Sequence, residues 1–285
     1  MVIHFSSGHC FRDGIMKLFV SSPEIYHIQY NTFFRGGCSL ESEALFTPRH
    51  FIRHFARHLK RVRLPSSCVL SLVPGIDRII PYHPVGQGSF LMHSSYSIFS
   101  VQSEFVLIFG GVGAPAAVIS LEIIRELGVK ELIVLGVCGL LDDSIKTGSL
   151  LVPDTFISEE GTSGLYRTSE ETAGQNPQLV RHIHDLLNTH KMPFYQGAHW
   201  STDAPFRETG QKVDRYRKAG CLSVDMEASA LLAAARFHRI PAAVLLIGSD
   251  HLGRSSWSPP LPSFLRIRKT IRKLFGFLPE VFKPG

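Results

Sequence analysis

From residue 67 onward the chain alternates short, almost wholly apolar runs with longer segments of helical period. CVLSLV (68–73), FVLIFGG (105–111), ELIVLGV (131–137), SLLVPDTFI (149–157), FYQGAHW (194–200) and AAVLLIG (242–248) read as strands buried on both faces. Between them lie PAAVISLEIIRELG (115–128), NPQLVRHIHDLLNTH (176–190), GQKVDRYRKAG (210–220) and MEASALLAAARFHR (226–239), each with the spacing of a helix. The first has Pro at its start and Gly at its end, which punctuates a helix. Near-continuous apolar strands separated by helices predict an α/β sandwich with a largely parallel or mixed sheet. Residues 1–66 do not follow this alternation and are expected to be an N-terminal extension packed on a core spanning 67–255, with 256–285 as a basic C-terminal helix or tail.

With 285 residues and 44% of them hydrophobic, the chain has material for a sizeable core. No apolar run reaches the length of a membrane span, since FVLIFGGVGAPAAVI (105–119) is broken by Gly110, Gly111, Gly113 and Pro115. The N-terminus has no basic region followed by a long apolar core, so no secretory leader is expected. Five cysteines (Cys10, Cys38, Cys68, Cys138, Cys221) at irregular spacing, with no CxxC pair, indicate neither a disulfide framework nor a zinc ribbon. They read as reduced core thiols, and a cytoplasmic location is the natural expectation.

The formal net charge of +6 sits at the two ends. Residues 1–66 hold nine Lys/Arg against four Asp/Glu, and residues 251–285 hold seven against one. These charges fall in amphipathic patterns, RHFIRHFARHLKRVR (49–63) and RIRKTIRKLFGFL (266–278), and are expected to be solvated helix faces. Nucleic acid or an anionic membrane surface is the alternative reading of the same charge.

In sheets of this type ligand sites gather at strand ends, where loops and helix starts present backbone N–H groups. Three stretches meet that description: GGVGAP (110–115), GVCGLL (136–141) and GSDHLGR (248–254). A fourth, VDMEA (224–228), places Asp225 and Glu227 two residues apart where a strand ends and a helix begins. The glycine turn matches neither a P-loop nor a dinucleotide fingerprint. Asp225 reads as a cap for the helix and Glu227 as an acidic first-turn residue. Together, however, an anion-friendly turn, paired carboxylates and Asp250 suit glycosidic-bond chemistry: carboxylates hold sugar hydroxyls and steady a cationic sugar, and an acid protonates the leaving base.

The stretches STDAPFRET…VDRYRKAGCLSVDMEASALLAAARFHRIPAAVLLIGSDHL (201–252) and GGVGAPAAVISLEIIRELGVKELIVLGVCGLLDDSIKTGSLLVP (110–153) resemble the nucleoside phosphorylase/nucleosidase family, that of purine nucleoside phosphorylase and uridine phosphorylase. The resemblance implies a three-layer α/β/α sandwich around a central mixed, partly barrel-like sheet, and a homo-oligomer built from dimers. It implies cleavage of a nucleoside N-glycosidic bond with inorganic phosphate as co-substrate and no cofactor or metal, giving free base and ribose 1-phosphate. Met226 and Glu227 match the ribose-contacting pair, and Asp225 falls where purine-type members often carry Glu. Asp250 matches the acid that protonates a purine at N7, with Ser249 beside it near the base; Cys138, Gly139 and Phe206 fall at base- or sugar-lining positions. Gly111 and Gly113 belong to the turn near phosphate and ribose. The family's phosphate-contacting Arg and Ser/Thr correspond here to Val134 and Val137, which donate no hydrogen bond. Gly75 with Arg78, or Arg35, are the remaining candidates for phosphate. Without that arginine, hydrolysis by water and a non-catalytic nucleoside-binding role stay open as alternatives.

Overall fold

A computed structural model describes residues 44–80, 86–91, 94–101, 105–166, 174–253, 256–259 and 264–282. Arg35 and residues 1–43 of the N-terminal extension lie outside the described residues. The helices are α1 (Pro48–His54), α2 (Ala114–Glu126), α3 (Ser163–Tyr166), α4 (Pro177–Thr189), α5 (Gly210–Lys218), α6 (Ala228–Phe237) and α7 (Phe264–Phe275). The strands are β1 (Ser67–Ser71), β2 (Gly86–Leu91), β3 (Ser94–Val101), β4 (Phe105–Phe109), β5 (Glu131–Leu140), β6 (Leu150–Leu151), β7 (Thr155–Ser158), β8 (Phe194–Tyr195), β9 (Ala198–Ser201), β10 (Cys221–Asp225), β11 (Ala242–Leu252) and β12 (Trp257–Ser258).

The strands form one mixed sheet organised on β5. One edge of β5 pairs in parallel with β1 through residues 131–135, then antiparallel with β10 through Gly139 and Leu140. Its other edge runs parallel with β11 from Leu132 to Leu140. The sheet therefore forks: β4, β3 and β2 extend beyond β1, while β9 and β7 extend beyond β10. On the far side of β11 lie β6 and β8.

Period-2 alternation sends the two faces of each central strand into different cores. Leu70, Leu132, Val134, Val244 and Leu246 join α1, α2 and α6 on one face. Val69, Ile133, Leu135, Leu245 and Ile247 join α4 and α7 on the other. A smaller core, with Trp200 and Val224 beneath Val213 and Tyr216, seats α5 on β9 and β10. This is the three-layer α/β/α sandwich.

Local chemistry explains the element ends. Asn176 caps α4 by accepting from the backbone N–H groups of Gln178 and Leu179, both at 3.0 Å, with Pro177 in the first turn. Residues 228–235 of α6 are all buried, because its alanines allow α2, α3 and the sheet to approach closely. In α7 the buried residues Ile267, Ile271, Leu274 and Phe275 follow the helical period, while Arg266, Lys269, Arg272 and Lys273 face outward. The basic charge of this segment is a solvated helix face.

The predicted strand 149–157 is two strands, since Pro153 lacks the N–H a ladder needs and the chain changes neighbours there. The predicted strand 194–200 likewise divides around Gln196 and Gly197. The helical pattern at 49–63 gives α1 and then a separate 3-10 turn, Arg57–Arg61, which together bury Phe51, Ile52 and Leu59. Among the described residues no helix is long and apolar enough to cross a membrane.

Candidate active site

A cleft of about 220 Å³ opens at the fork, at the C-terminal ends of β1, β4, β5, β10 and β11. Leu72, Pro74, Val112, Val137, Cys138, Gly139 and Val224 line it, with Asp225, Met226 and Glu227 after β10 and Ser249, Asp250 and Leu252 on β11. Pro205 and Glu208 close the remaining wall. Among the described residues the lining holds four carboxylates and neither Lys nor Arg.

Glu227 is buried at the start of α6, with only 7% of its surface exposed. Its Oε1 accepts from the Gly113 N–H at 2.5 Å, and its Oε2 from the Met226 N–H at 3.2 Å. Gly113 precedes α2 with φ +91° and ψ 148°, a conformation that L side chains rarely adopt. The starts of two helices thus converge on one carboxylate, where positive backbone charge is concentrated. Burial, and then the charge of Asp225, push the Glu227 carboxyl well above its ordinary range, against the pull of the two N–H donors.

Asp225 is equally buried and engaged on both oxygens. Oδ1 accepts from Ser201 Oγ at 2.6 Å, and Oδ2 from the Ala228 N–H at 2.9 Å, so Asp225 caps α6 from the strand side. His199 Nε2 lies 2.9 Å from the same Oδ1 without the alignment of a hydrogen bond, while its Nδ1 meets Ser223 Oγ at 2.8 Å. Ser201 Oγ also accepts from the Ser229 N–H at 3.1 Å. Asp225 therefore anchors the turn that presents Met226 and Glu227.

On the opposite wall the pairing of β11 with β5 skips a residue between Gly248 and Asp250, leaving Ser249 as a bulge. Ser249 Oγ stands between the Cys138 carbonyl, at 3.0 Å, and Asp250 Oδ1, with one hydroxyl proton for the two contacts. Trp257 Nε1 donates to Asp250 Oδ2 at 2.7 Å. His251 meets the carbonyl of Ile145 at 2.8 Å, a structural bond. Gly139 lets β10 and β11 close on β5: a Cβ there would sit 2.4 Å from Leu252 Cδ1.

The structure brings together Cys138, Gly139, Asp225, Met226, Glu227, Ser249 and Asp250, with Gly113 reaching in through its N–H. Gly111, Gly75 and Arg78 do not line the cleft; Gly75 opens a 3-10 turn, Ile76–Arg78, on the loop whose Leu72 and Pro74 do. Phe206 is fully exposed on the turn Pro205–Arg207, between two residues that line the cleft. Val137 faces the cleft, whereas Val134 is sealed in the core. Three participants escape a sequence reading: Glu208, Trp257, and His199 with its serines. Glu208 carries a clear electrostatic signature. Burial first, then the charge of Asp250, push its carboxyl up to about 7.

Residues 77–263 match the phosphorylase superfamily. Guanosine phosphorylase of Halorubrum lacusprofundi is 29% identical over 134 residues, 47% of this chain and 56% of that one. A DeoD-type purine nucleoside phosphorylase of Clostridium beijerinckii is 28% identical over 144 residues, 50% of this chain and 60% of that one. The chain thus spans little more than half the length of these relatives. In fold it is similar to uridine phosphorylase from Vibrio fischeri, with TM-score 0.62 at 21% identity over 79% of this chain and 92% of that one. Purine nucleoside phosphorylase from Toxoplasma gondii, in complex with immucillin-H, gives TM-score 0.64 at 16% identity with the same coverage. With the match covering well over half its length, the chain belongs to the phosphorylase superfamily.

Proposed function

We propose that the protein cleaves the N-glycosidic bond of a purine nucleoside and transfers the sugar to phosphate. The observation that carries this is the buried Glu227, held by the Gly113 and Met226 N–H groups and facing Asp250 across one cleft. Glu227 accepts from the ribose hydroxyls as positive charge builds on the sugar, and Met226 supplies an apolar wall. The Asp250 side of the cleft receives the base, where a carboxyl group protonates N7 as the bond to C1′ breaks. Phosphate is supported by the names of the relatives. The cation for phosphate then comes from outside the described lining, and a homo-oligomer of dimers in the cytoplasm completes this reading.

A second reading, hydrolysis, rests on a specific observation. Among the described residues the cleft lining has no cation, and Val137 stands where the family's phosphate-contacting hydroxyl belongs. A dianion facing four carboxylates without donors is not held. Base release from purine and pyrimidine nucleosides, with and without phosphate, separates the two. Phosphate-dependent release with formation of a sugar 1-phosphate upholds phosphorolysis; equal release without phosphate makes water the nucleophile. Binding without turnover refutes both.

A further inference from the structure

A second cavity, of about 620 Å³, opens between the loop 146–149, the segment just before β8 and α7, and shares no lining residue with the cleft. Its lining carries three cations: Lys146 on the loop, and Arg266 and Lys269 one turn apart on α7. Among the described residues that lining has no carboxylate, and none of the three cations is held in an ion pair. Like charges gathered without a counter-charge make the recess attractive to an anion. Met192 and Pro193 give the same recess an apolar wall.

Gly148 lets α7 lie close to the loop. Its φ is +85°, and a Cβ there would sit 2.8 Å from Arg266 Cβ and 3.2 Å from the Arg266 carbonyl carbon. Thr270 Oγ1 donates to the Gly148 carbonyl at 2.7 Å, and the Gly148 N–H donates to the Gly248 carbonyl at 2.7 Å. The loop is thus tied to α7 on one side and to β11 on the other. Arg266 turns toward it, with Nη1 3.5 Å from Thr147 Oγ1. The backbone that bears the three cations is in place before any ligand arrives, which lowers the cost of binding one.

A cavity of this volume suits a metabolite-sized ligand better than an isolated ion. One phosphate monoester carries about −1.5 to −2, less than three cations can balance, so two linked phosphates match the charge better. The polarizable thioether of Met192 favours a flat aromatic ring beside it. We propose, independently of the reading above, that this cavity binds a nucleoside diphosphate, with its phosphates on Lys146, Arg266 and Lys269 and its base against Met192 and Pro193. Arg266 grips phosphate oxygens through its planar fork, while the two lysines act as point charges.

The test is titration calorimetry on the full chain with adenosine diphosphate, uridine diphosphate and inorganic pyrophosphate. At least one of the two nucleotides should bind, more weakly as salt rises, and pyrophosphate should displace it while binding less tightly itself. The double variant Arg266→Gln with Lys269→Gln should lose roughly tenfold or more in nucleotide affinity for each cation removed. Arg272→Gln with Lys273→Gln removes the same charge from the same helix outside the cavity, and should bind as the wild type does. Glu227→Gln, altered in the other cleft, should also bind normally. Binding of neither nucleotide overturns the proposal. Equal weakening in the two double variants overturns it as diffuse attraction to a basic helix, and loss in Glu227→Gln overturns it by placing the nucleotide in the cleft. Pyrophosphate binding as tightly as either nucleotide would show that the base is not recognised. An RNA oligomer that binds the wild type and is not displaced by either nucleotide would make this face a nucleic-acid surface instead.

Discussion

Replacing Gly113 by Ala isolates the backbone contribution to the site. A Cβ built at Gly113 meets no atom within 4 Å, so the substitution introduces no clash. Its whole cost comes from φ +91° with ψ 148°, a region essentially reserved for glycine and worth about 1–3 kcal/mol for another residue. The chain can bear that strain, or relax it by rotating the peptide, which removes the N–H from Glu227. Losing that charge-assisted hydrogen bond costs a further ~1.5–3 kcal/mol in transition-state binding, roughly ten- to hundredfold in kcat/KM. It also removes one of the donors that restrain the rise of the Glu227 pKa, so the acid limb of the pH profile moves upward. Chemical denaturation and the pH dependence of kcat/KM measure the two parts separately. Gly113→Ala with wild-type stability and an unmoved acid limb would show that the conformation at 113 does not govern Glu227.

Other perturbations reach different parts of the same reasoning. Asp225→Asn removes the like charge beside Glu227, so the acid limb of kcat/KM should move to lower pH. Because an amide cannot accept from both Ser201 and Ala228, stability should fall by about 1–3 kcal/mol in denaturant unfolding. Ile271→Ala, at a fully buried position of α7, should cost about 2–5 kcal/mol in the same measurement, as expected of a core helix. Burial raises the thiols of Cys68, Cys138 and Cys221, the last to about 11. A maleimide applied at neutral pH should therefore leave these three unlabelled in the native state and label them on unfolding, as peptide mass spectrometry would locate.

The layered fold is legible because its central strands are apolar on both faces, which only a doubly covered sheet tolerates. Strand pairing is less so. The hairpin of β2 and β3 reads GQGSFLMHSSYSIFSV (86–101), too rich in Gly and Ser to announce a strand by hydrophobicity. Changes of partner at Pro153 and Gly197 belong to tertiary structure rather than to local sequence. At the site, Asp225, Met226, Glu227 and Asp250 are visible as charge placed where strands end. Glu208 is not, since it follows a short 3-10 turn with no period to flag it and gains its character from burial and then from Asp250, forty-two residues later. Trp257 is hidden for a similar reason, because its bond to Asp250 depends on the β11–β12 turn.

The bulge at Ser249 makes the cleft depend on a count as well as on a composition. Two residues of β11, Ser249 and Asp250, stand where β5 advances by one to Gly139, and beyond them the ladder resumes with His251 opposite Leu140. The surplus residue lets two successive side chains front the cleft, where strict alternation would turn one of them away. Deleting Ser249 would keep Asp250 opposite Gly139 in an unbroken ladder and remove the hydroxyl that stands between Asp250 and the Cys138 carbonyl. In this strand one residue of length decides how many neighbouring side chains share the wall, and a scan of single-residue deletions would explore what point substitution leaves untouched.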